Sequence, residues 1–145
     1  MQTLPSWNRP PRVAVIEDDE LLAMLLRYNI EAAGAIVECS TDGRAALRRL
    51  QSDPPDAVLL DWELPSLSGI EILRQLRLSP ATRELPILML TGRSGRLDRA
   101  HAQAIGIDAY LVKPFSVREV LEWLGRMLDR DPTRSRRCLA AAEMR

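Results

Sequence analysis

Acidic residues follow directly on two short apolar runs of the chain. Val13–Ile16 leads into Glu17 and Asp18, and the run that ends at Leu60 leads into Asp61. A helix dipole would account for one acid at such a position, but less well for acids after both runs. Carboxylates held close together repel one another unless a cation lies among them. Mg²⁺ prefers oxygen ligands, keeps several waters and accepts a phosphoryl oxygen, so the pattern predicts a Mg²⁺ site for phosphoryl chemistry.

Two further apolar runs end on side chains that can contact phosphate. Ile87–Leu90 is followed by Thr91, and Ala109–Val112 is followed by Lys113, the only lysine in the chain. A hydroxyl can hydrogen-bond to a phosphoryl oxygen, and a compact ammonium makes point-charge contacts with phosphate or carboxylate. All four strand ends therefore carry groups suited to one anionic pocket.

The apolar runs are continuous rather than alternating, which is typical of parallel strands covered on both faces. The five predicted strands are Val13–Ile16, Ala35–Cys39, Ala57–Leu60, Ile87–Leu90 and Ala109–Val112. The segments between them have helical periodicity; Asp42 is expected to cap the second helix, residues 96–105 to form the fourth, and Ser116 to cap the fifth. Five such units predict an α/β fold with a doubly wound parallel sheet, whose ligands bind at the carboxyl ends of the strands.

The length of 145 residues allows one domain with tails. We expect a disordered lead-in over residues 1–11, a folded domain over 12–130, and a flexible basic tail over 131–145. The formal net charge of zero predicts no broad surface for nucleic acid or anionic membrane. No apolar run reaches membrane-spanning length and no signal peptide is recognisable, so we expect a cytoplasmic protein with no membrane partner. His101, the only histidine, is expected at the surface.

Four stretches in order, VIEDDELL, LLDWELPSLSGIE, ILMLTGR and DAYLVKPFS, carry a family resemblance. Across residues 12–128 the chain resembles the receiver domains of two-component response regulators. The resemblance implies a (βα)5 flavodoxin-like fold with strand order 2-1-3-4-5, and a phosphorylation switch rather than an enzyme. DWELP and Tyr110 are most similar to receivers of the OmpR/PhoB type, which carry a DNA-binding domain that is absent here; we therefore expect a stand-alone receiver or part of a longer protein.

The resemblance implies roles for the acidic residues. Asp61 is the expected phosphoacceptor, which takes a phosphoryl group from a phosphohistidine on a sensor histidine kinase or phosphotransfer protein. Glu17 and Asp18 are expected to hold Mg²⁺ together with Asp61, and the backbone carbonyl of Glu63 to complete the protein ligands.

The resemblance also implies roles for the other strand ends. Thr91 is expected to hydrogen-bond to the phosphoryl group and Lys113 to contact its oxygens, with a cis bond between Lys113 and Pro114. Tyr110 takes the place of the aromatic switch residue, which turns inward when Thr91 is drawn towards the phosphate. A buried tyrosine needs a partner for its hydroxyl, so two rotamers with different partners are plausible.

Glu63 and Arg93 flank the predicted pocket, two residues after Asp61 and two after Thr91. Their opposite charges predict an ion pair across the pocket mouth. Such an exposed pair contributes about 0–1 kcal/mol to stability, so we expect its role to be gating: slowing the attack of water on the acyl phosphate.

Receivers of this branch dimerise through the fourth helix, fifth strand and fifth helix, by three charged pairs. Here Arg99 and Glu119 keep one pair. The second pair falls on Ala104 and Gly125 and the third on Ala109 and Trp123, so both lose their charges. The apolar stripe of the fifth helix suggests that Trp123 lies opposite the core. Two interpretations remain open: Trp123 contacts a homodimer mate or another protein, or it folds down over a neighbouring strand.

The main alternative is a Mg²⁺-dependent aspartate-nucleophile phosphatase or dehalogenase-like hydrolase. Such enzymes usually place a second aspartate two residues after the nucleophile, where this chain has Glu63. The chain is also too short for a cap domain.

Overall fold

In the computed structural model, which describes residues 9–129, the five apolar runs form one parallel sheet. The strands are β1 (Arg12–Ile16), β2 (Ile36–Ser40), β3 (Ala57–Asp61), β4 (Ile87–Thr91) and β5 (Ala109–Val112). Their order, β2-β1-β3-β4-β5, confirms the predicted topology. Of the predicted disordered lead-in over residues 1–11, residues 1–8 lie outside the described residues, whereas Pro11 is buried and its carbonyl accepts the N–H of Ile36 at 2.8 Å. The predicted basic tail over residues 131–145 also lies outside the described residues.

The helices occupy the segments in which the sequence shows helical periodicity. They are α1 (Glu20–Ala32), α2 (Gly43–Ser52), α3 (Gly69–Leu78), α4 (Arg96–Ile105) and α5 (Val117–Leu128). The side chains of Asp42 and Ser116 accept backbone N–H groups in the first turns of α2 and α5, as predicted. Gly106 ends α4 with φ 116°, a conformation that glycine adopts without a steric penalty.

The sheet separates two apolar clusters. One lies between the sheet and the pair α1 and α5, and it includes Leu26, Leu59 and Leu124. The other lies on the opposite face, under α2, α3 and α4, and it includes Leu73 and Met89. Every residue of β3 and β4 is buried. These strands need apolar side chains on both faces, which explains why the sequence shows continuous runs rather than alternation.

Trp123 belongs to the core, so its interpretation as an exposed partner contact is wrong. The side chain is 4% exposed and packs in the cluster between α1, α5 and the sheet. It lies one turn from Val120 and from Met127, so it flanks the apolar stripe of α5 rather than opposing it. Because the indole ring is wide, the side chain of Trp123 reaches the core from a position beside the stripe.

Among residues 9–129, no helix is long and apolar enough to cross a membrane. Cys39 is partly buried against the α1–α5 cluster, as a small apolar residue would be.

Replacing Trp123 with alanine is expected to destabilise the fold itself. The lost burial and the cavity should lower the free energy of unfolding by about 3–5 kcal/mol. Leu97→Ala is the matched control, because Leu97 is 85% exposed and its truncation should change stability by less than about 0.5 kcal/mol. Urea unfolding followed by circular dichroism measures both. Equal stability of the two variants would contradict the buried position of Trp123.

Candidate phosphorylation site

Four strands end at the same edge of the sheet, and each carries a polar residue at its last position or immediately after it. Asp61 and Thr91 end β3 and β4, while Glu17 and Lys113 follow β1 and β5 directly. Because the strands are parallel, their carboxyl ends meet at the same edge. The structure therefore brings together the groups that the sequence predicts to form one pocket.

Lys113 binds two buried carboxyl groups at once. Its Nζ lies 2.5 Å from Glu17 Oε1 and 3.1 Å from Asp61 Oδ2. The side chain must pass over the end of β4, which separates β5 from β3 in the sheet. The residue there is Thr91, which is small and fully buried. The peptide bond between Lys113 and Pro114 is cis, as expected.

Asp18 completes a group of carboxylates that can hold a cation. Glu17, Asp18 and Asp61 each offer an oxygen atom, and these atoms lie within 4.8 Å of one another. Glu17 and Asp61 are buried, whereas Asp18 is exposed. Glu17 Oε2 is buried without a hydrogen-bond partner among the described residues. An unsatisfied buried carboxylate oxygen beside two other carboxylates fits a hard divalent cation such as Mg²⁺.

The charges of the pocket do not balance within the protein. Burial raises the pKa of Glu17 to about 8, and the hydrogen bond with Asp61 adds to this, although Lys113 favours the ionised form. Burial lowers the pKa of Lys113, but its hydrogen bonds to Glu17 and Asp61 outweigh this and raise it. One ammonium thus faces three carboxyl groups.

Arg93 and Glu63 form the predicted ion pair, with Arg93 Nε 2.5 Å from Glu63 Oε1. Two further contacts of Arg93 escaped prediction. The guanidinium lies over the ring of Trp62, 4.9 Å from its centroid, and Nη1 lies 3.6 Å from Asp98 on α4. These contacts join segments that are distant in sequence. Only the ion pair of Arg93 with Glu63 could be predicted, from the opposite charges of the two residues. Arg93 thereby links the β3–α3 loop to α4.

Tyr110 is buried and points towards the loop between β4 and α4. Its hydroxyl donates to the carbonyl of Arg93 at 2.7 Å, and the N–H of Arg93 donates to Thr91 Oγ1 at 3.1 Å. Burial raises the pKa of the phenol. The guanidinium of Arg99 lies 5.0 Å from the centroid of the Tyr110 ring and donates to the Tyr110 carbonyl. The backbone of residue 93 thus connects Thr91 with Tyr110.

The other predicted interface residues lie at the surface to different degrees. Arg99, Ala104 and Glu119 are exposed, Ala109 is partly buried, and Trp123 is buried. His101 is exposed, as expected, and its ring contacts the edge of Trp62 at a centroid distance of 6.1 Å.

Comparison with known proteins agrees with this geometry. The family described as "Response regulator receiver domain" matches residues 13–124. This chain belongs to that family. Receiver domains of response regulators accept phosphate from histidine kinases and act in signalling rather than as classical enzymes.

The curated relatives that match are response regulators of the OmpR family, the branch that DWELP and Tyr110 resemble. The phosphate regulon transcriptional regulatory protein PhoB of Rhizobium meliloti is 48% identical over 120 residues, which cover 83% of this chain and 53% of that protein. The alkaline phosphatase synthesis transcriptional regulatory protein PhoP of Bacillus subtilis is 40% identical, over 75% of this chain and 45% of that protein. This chain therefore spans about half the length of these relatives.

Solved structures share the fold. The receiver domain of the Francisella response regulator 1452 is 28% identical with a TM-score of 0.78, covering 83% of this chain and 98% of that one. The receiver domain of a Pseudomonas aeruginosa sensor histidine kinase is also 28% identical, with a TM-score of 0.76 and the same coverage. That structure has a magnesium ion in the active-site cleft.

The raised pKa of Glu17 predicts that Mg²⁺ binds more tightly as the pH rises. Below pH 8 the cation must displace a proton from Glu17, so affinity should increase with pH and level off above about 8. In the metal-free protein burial disfavours the ionised group, so the stability of the fold decreases as the pH rises from about 4.5 and levels off above about 8. Mg²⁺ titrations followed by Trp62 fluorescence on both sides of that pH measure the effect. Glu17→Gln should remove the pH dependence; a pH-independent affinity in the unsubstituted protein would contradict the assignment.

Proposed function

We propose that Asp61 is the phosphoacceptor of a signalling switch and receives its phosphoryl group from a sensor histidine kinase or a phosphotransfer protein. The observation that carries the proposal is the position of Asp61. It is buried, lies within reach of Glu17 and Asp18, and has its Oδ2 3.1 Å from the ammonium of Lys113. Membership of the receiver family supports the same assignment.

The transfer step needs a nucleophile and positive charge, and both are present. A carboxylate oxygen of Asp61 attacks phosphorus, the new P–O bond forms, the P–N bond of the donor phosphohistidine breaks, and the imidazole leaves with the electron pair. Bound through Glu17, Asp18, Asp61 and the Glu63 carbonyl, Mg²⁺ would offset the charge of the phosphoryl oxygens. Lys113 exchanges a contact with a carboxylate for one with the phosphoryl group.

The signal leaves the site through Thr91 and Tyr110. Thr91 Oγ1 and the Tyr110 hydroxyl both bond to the backbone of Arg93, so moving Thr91 towards a phosphoryl group disturbs the partner that holds Tyr110. Tyr110 in turn lies beneath Arg99 on α4. This chain of contacts supports a readout at the face formed by α4, β5 and α5.

That face is the proposed surface for a homodimer mate or another protein. Arg99 and Glu119 are exposed there and are free to pair across an interface, although Arg99 already contacts Tyr110. Ala104 and the partly buried Ala109 add small apolar surface in place of charges. With Trp123 in the core, such an interface has to be built from Arg99, Ala104, Ala109 and Glu119.

The exposed pair of Glu63 and Arg93 is proposed to control the lifetime of the acyl phosphate. The pair flanks the pocket, and Arg93 is also held by Trp62 and Asp98. The pairing of Glu63 with Arg93 also argues against a hydrolase, in which that position would supply a free general acid. The folded receiver is proposed to span residues 12–130, and its location to be the cytoplasm, the usual place for receiver domains.

Asp61→Asn should abolish binding of the phosphoryl analogue beryllofluoride. The unsubstituted protein is expected to bind it only with Mg²⁺ present and to change its Trp62 fluorescence, since Trp62 adjoins the site. The amide of the variant supplies neither the negative charge nor the nucleophilic oxygen. Trp62→Phe is the control for the signal, and binding in that variant is followed by calorimetry. A Mg²⁺-dependent response that survives in Asp61→Asn would overturn the proposal.

Arg93→Ala should shorten the lifetime of the phosphorylated protein several-fold. The variant loses the ion pair with Glu63 at the mouth of the pocket, so water can attack the acyl phosphate more easily. Loss of the phosphoryl group is followed after removal of acetyl phosphate by separation on a phosphate-binding gel. Arg96→Ala, an exposed arginine at the start of α4, is the control and should leave the lifetime unchanged. Identical lifetimes of the unsubstituted protein and Arg93→Ala would show that the pair does not gate water.

A further inference from the structure

The loop between β3 and α3 holds the phosphoacceptor directly. The backbone N–H of Glu63 donates to Asp61 Oδ1 at 3.1 Å, while Asp61 Oδ2 faces Lys113. The orientation of the Asp61 carboxylate therefore depends on where this loop places residue 63.

The base of the loop is closed by its own backbone. The N–H of Gly69 donates to the carbonyl of Trp62 at 2.8 Å, and a Cβ at position 69 would lie 2.0 Å from the carbonyl oxygen of Asp61. Only glycine permits this approach. These contacts fix the two ends of the loop but leave its outer part, around Pro65 and Ser66, without support from β3 or α3.

The outer part is held by the first turn of α2. The N–H of Gly43 donates to the carbonyl of Pro65 at 3.1 Å, and the N–H of Arg44 donates to Ser66 Oγ at 3.2 Å. The Ser66 hydroxyl donates to Asp42 Oδ1 at 2.7 Å. Asp42 Oδ2 accepts the N–H of Ala45 at 2.8 Å, so one carboxylate caps α2 and holds the loop at the same time.

The backbone of Ser66 adopts an unusual conformation in the outer part of the loop. Ser66 has φ 65°, and it is the only residue other than glycine with positive φ among residues 9–129. Serine is disfavoured in this region, so the conformation persists only where neighbouring groups hold it. Here the N–H of Leu67 donates to the Pro65 carbonyl at 2.8 Å across Ser66, while Asp42 and the N–H of Arg44 hold the Ser66 hydroxyl.

We infer that Asp42 and Ser66 are positioning residues for the phosphorylation site. Their hydrogen bond braces the β3–α3 loop against α2, and the loop in turn orients Asp61 through the N–H of Glu63. The inference rests on the proposed function of Asp61 and adds two residues that touch neither the metal nor the phosphoryl group. A brace of this kind affects Mg²⁺ binding and phosphorylation without supplying a ligand.

Two substitutions break the brace in different ways. Ser66→Gly accepts the positive φ but removes the hydroxyl, and Asp42→Ser can still cap α2 but is too short to reach both Ala45 and Ser66. Each should weaken Mg²⁺ binding about fivefold, the size expected for one lost hydrogen bond. Each should also slow phosphorylation by acetyl phosphate, and the double variant should be little worse than either single one.

Two controls separate positioning from general destabilisation. Ser66→Asn should restore Mg²⁺ binding, because asparagine tolerates positive φ and its amide can donate to Asp42 while accepting from Arg44. Thr82→Val removes a buried hydrogen bond from Thr82 Oγ1 to the Leu76 carbonyl, at the opposite end of α3. That variant should lose stability in urea yet bind Mg²⁺ as the unsubstituted protein does.

The outcomes test the two proposals separately. If Ser66→Gly and Asp42→Ser bind Mg²⁺ as tightly as the unsubstituted protein, the brace is only structural and the inference fails. It also fails if Thr82→Val loses as much affinity as they do. If the unsubstituted protein itself binds neither Mg²⁺ nor beryllofluoride, the proposed function fails and the inference with it. If Ser66→Gly does not fold, the Mg²⁺ affinities of Asp42→Ser and Ser66→Asn are compared instead, and they provide the same test.

Discussion

The ammonium of Lys113 lies between the buried carboxyl groups of Glu17 and Asp61, and the rest of the site follows from that contact. Without a cation beside them, two carboxylates buried at this edge would repel each other. Burial raises the pKa of Glu17 to about 8, and one lysine does not balance the three carboxyl groups. The charge imbalance prepares the pocket for a divalent cation and then for a phosphoryl group.

The fold is what allows such a contact. Strand order β2-β1-β3-β4-β5 places the ends of β1 and β3 side by side and puts β4 between them and Lys113. Thr91 at the end of β4 is small and fully buried, and its carbonyl accepts the N–H of Lys113 at 2.7 Å. The same residue, through the backbone of Arg93, is joined to Tyr110 and the α4 side of the domain. A short series of hydrogen bonds therefore connects the charged groups at the strand ends to the packing of α4.

Much of this arrangement could be read from the sequence. Continuous apolar runs indicated buried parallel strands, and a polar residue after each run indicated the pocket, because strand ends are fixed by the fold. The position of Trp123 was open because a helical stripe does not show how far a flanking indole reaches. The contacts of Arg93 with Trp62 and Asp98 depend on how two loops approach, and Asp42 was recognised only as a helix cap. Local sequence contains no signal for its second partner, Ser66.

The most direct test of the account is chemical identification of the phosphorylated residue. The protein is treated with acetyl phosphate and Mg²⁺ and then with borohydride, which reduces an acyl phosphate of aspartate to homoserine, and its peptides are sequenced by mass spectrometry. The account predicts homoserine at position 61 alone, and none when Mg²⁺ is removed. Reduction at Asp18 or another carboxyl group, or no reduction at all, would contradict the assignment of Asp61 as the phosphoacceptor.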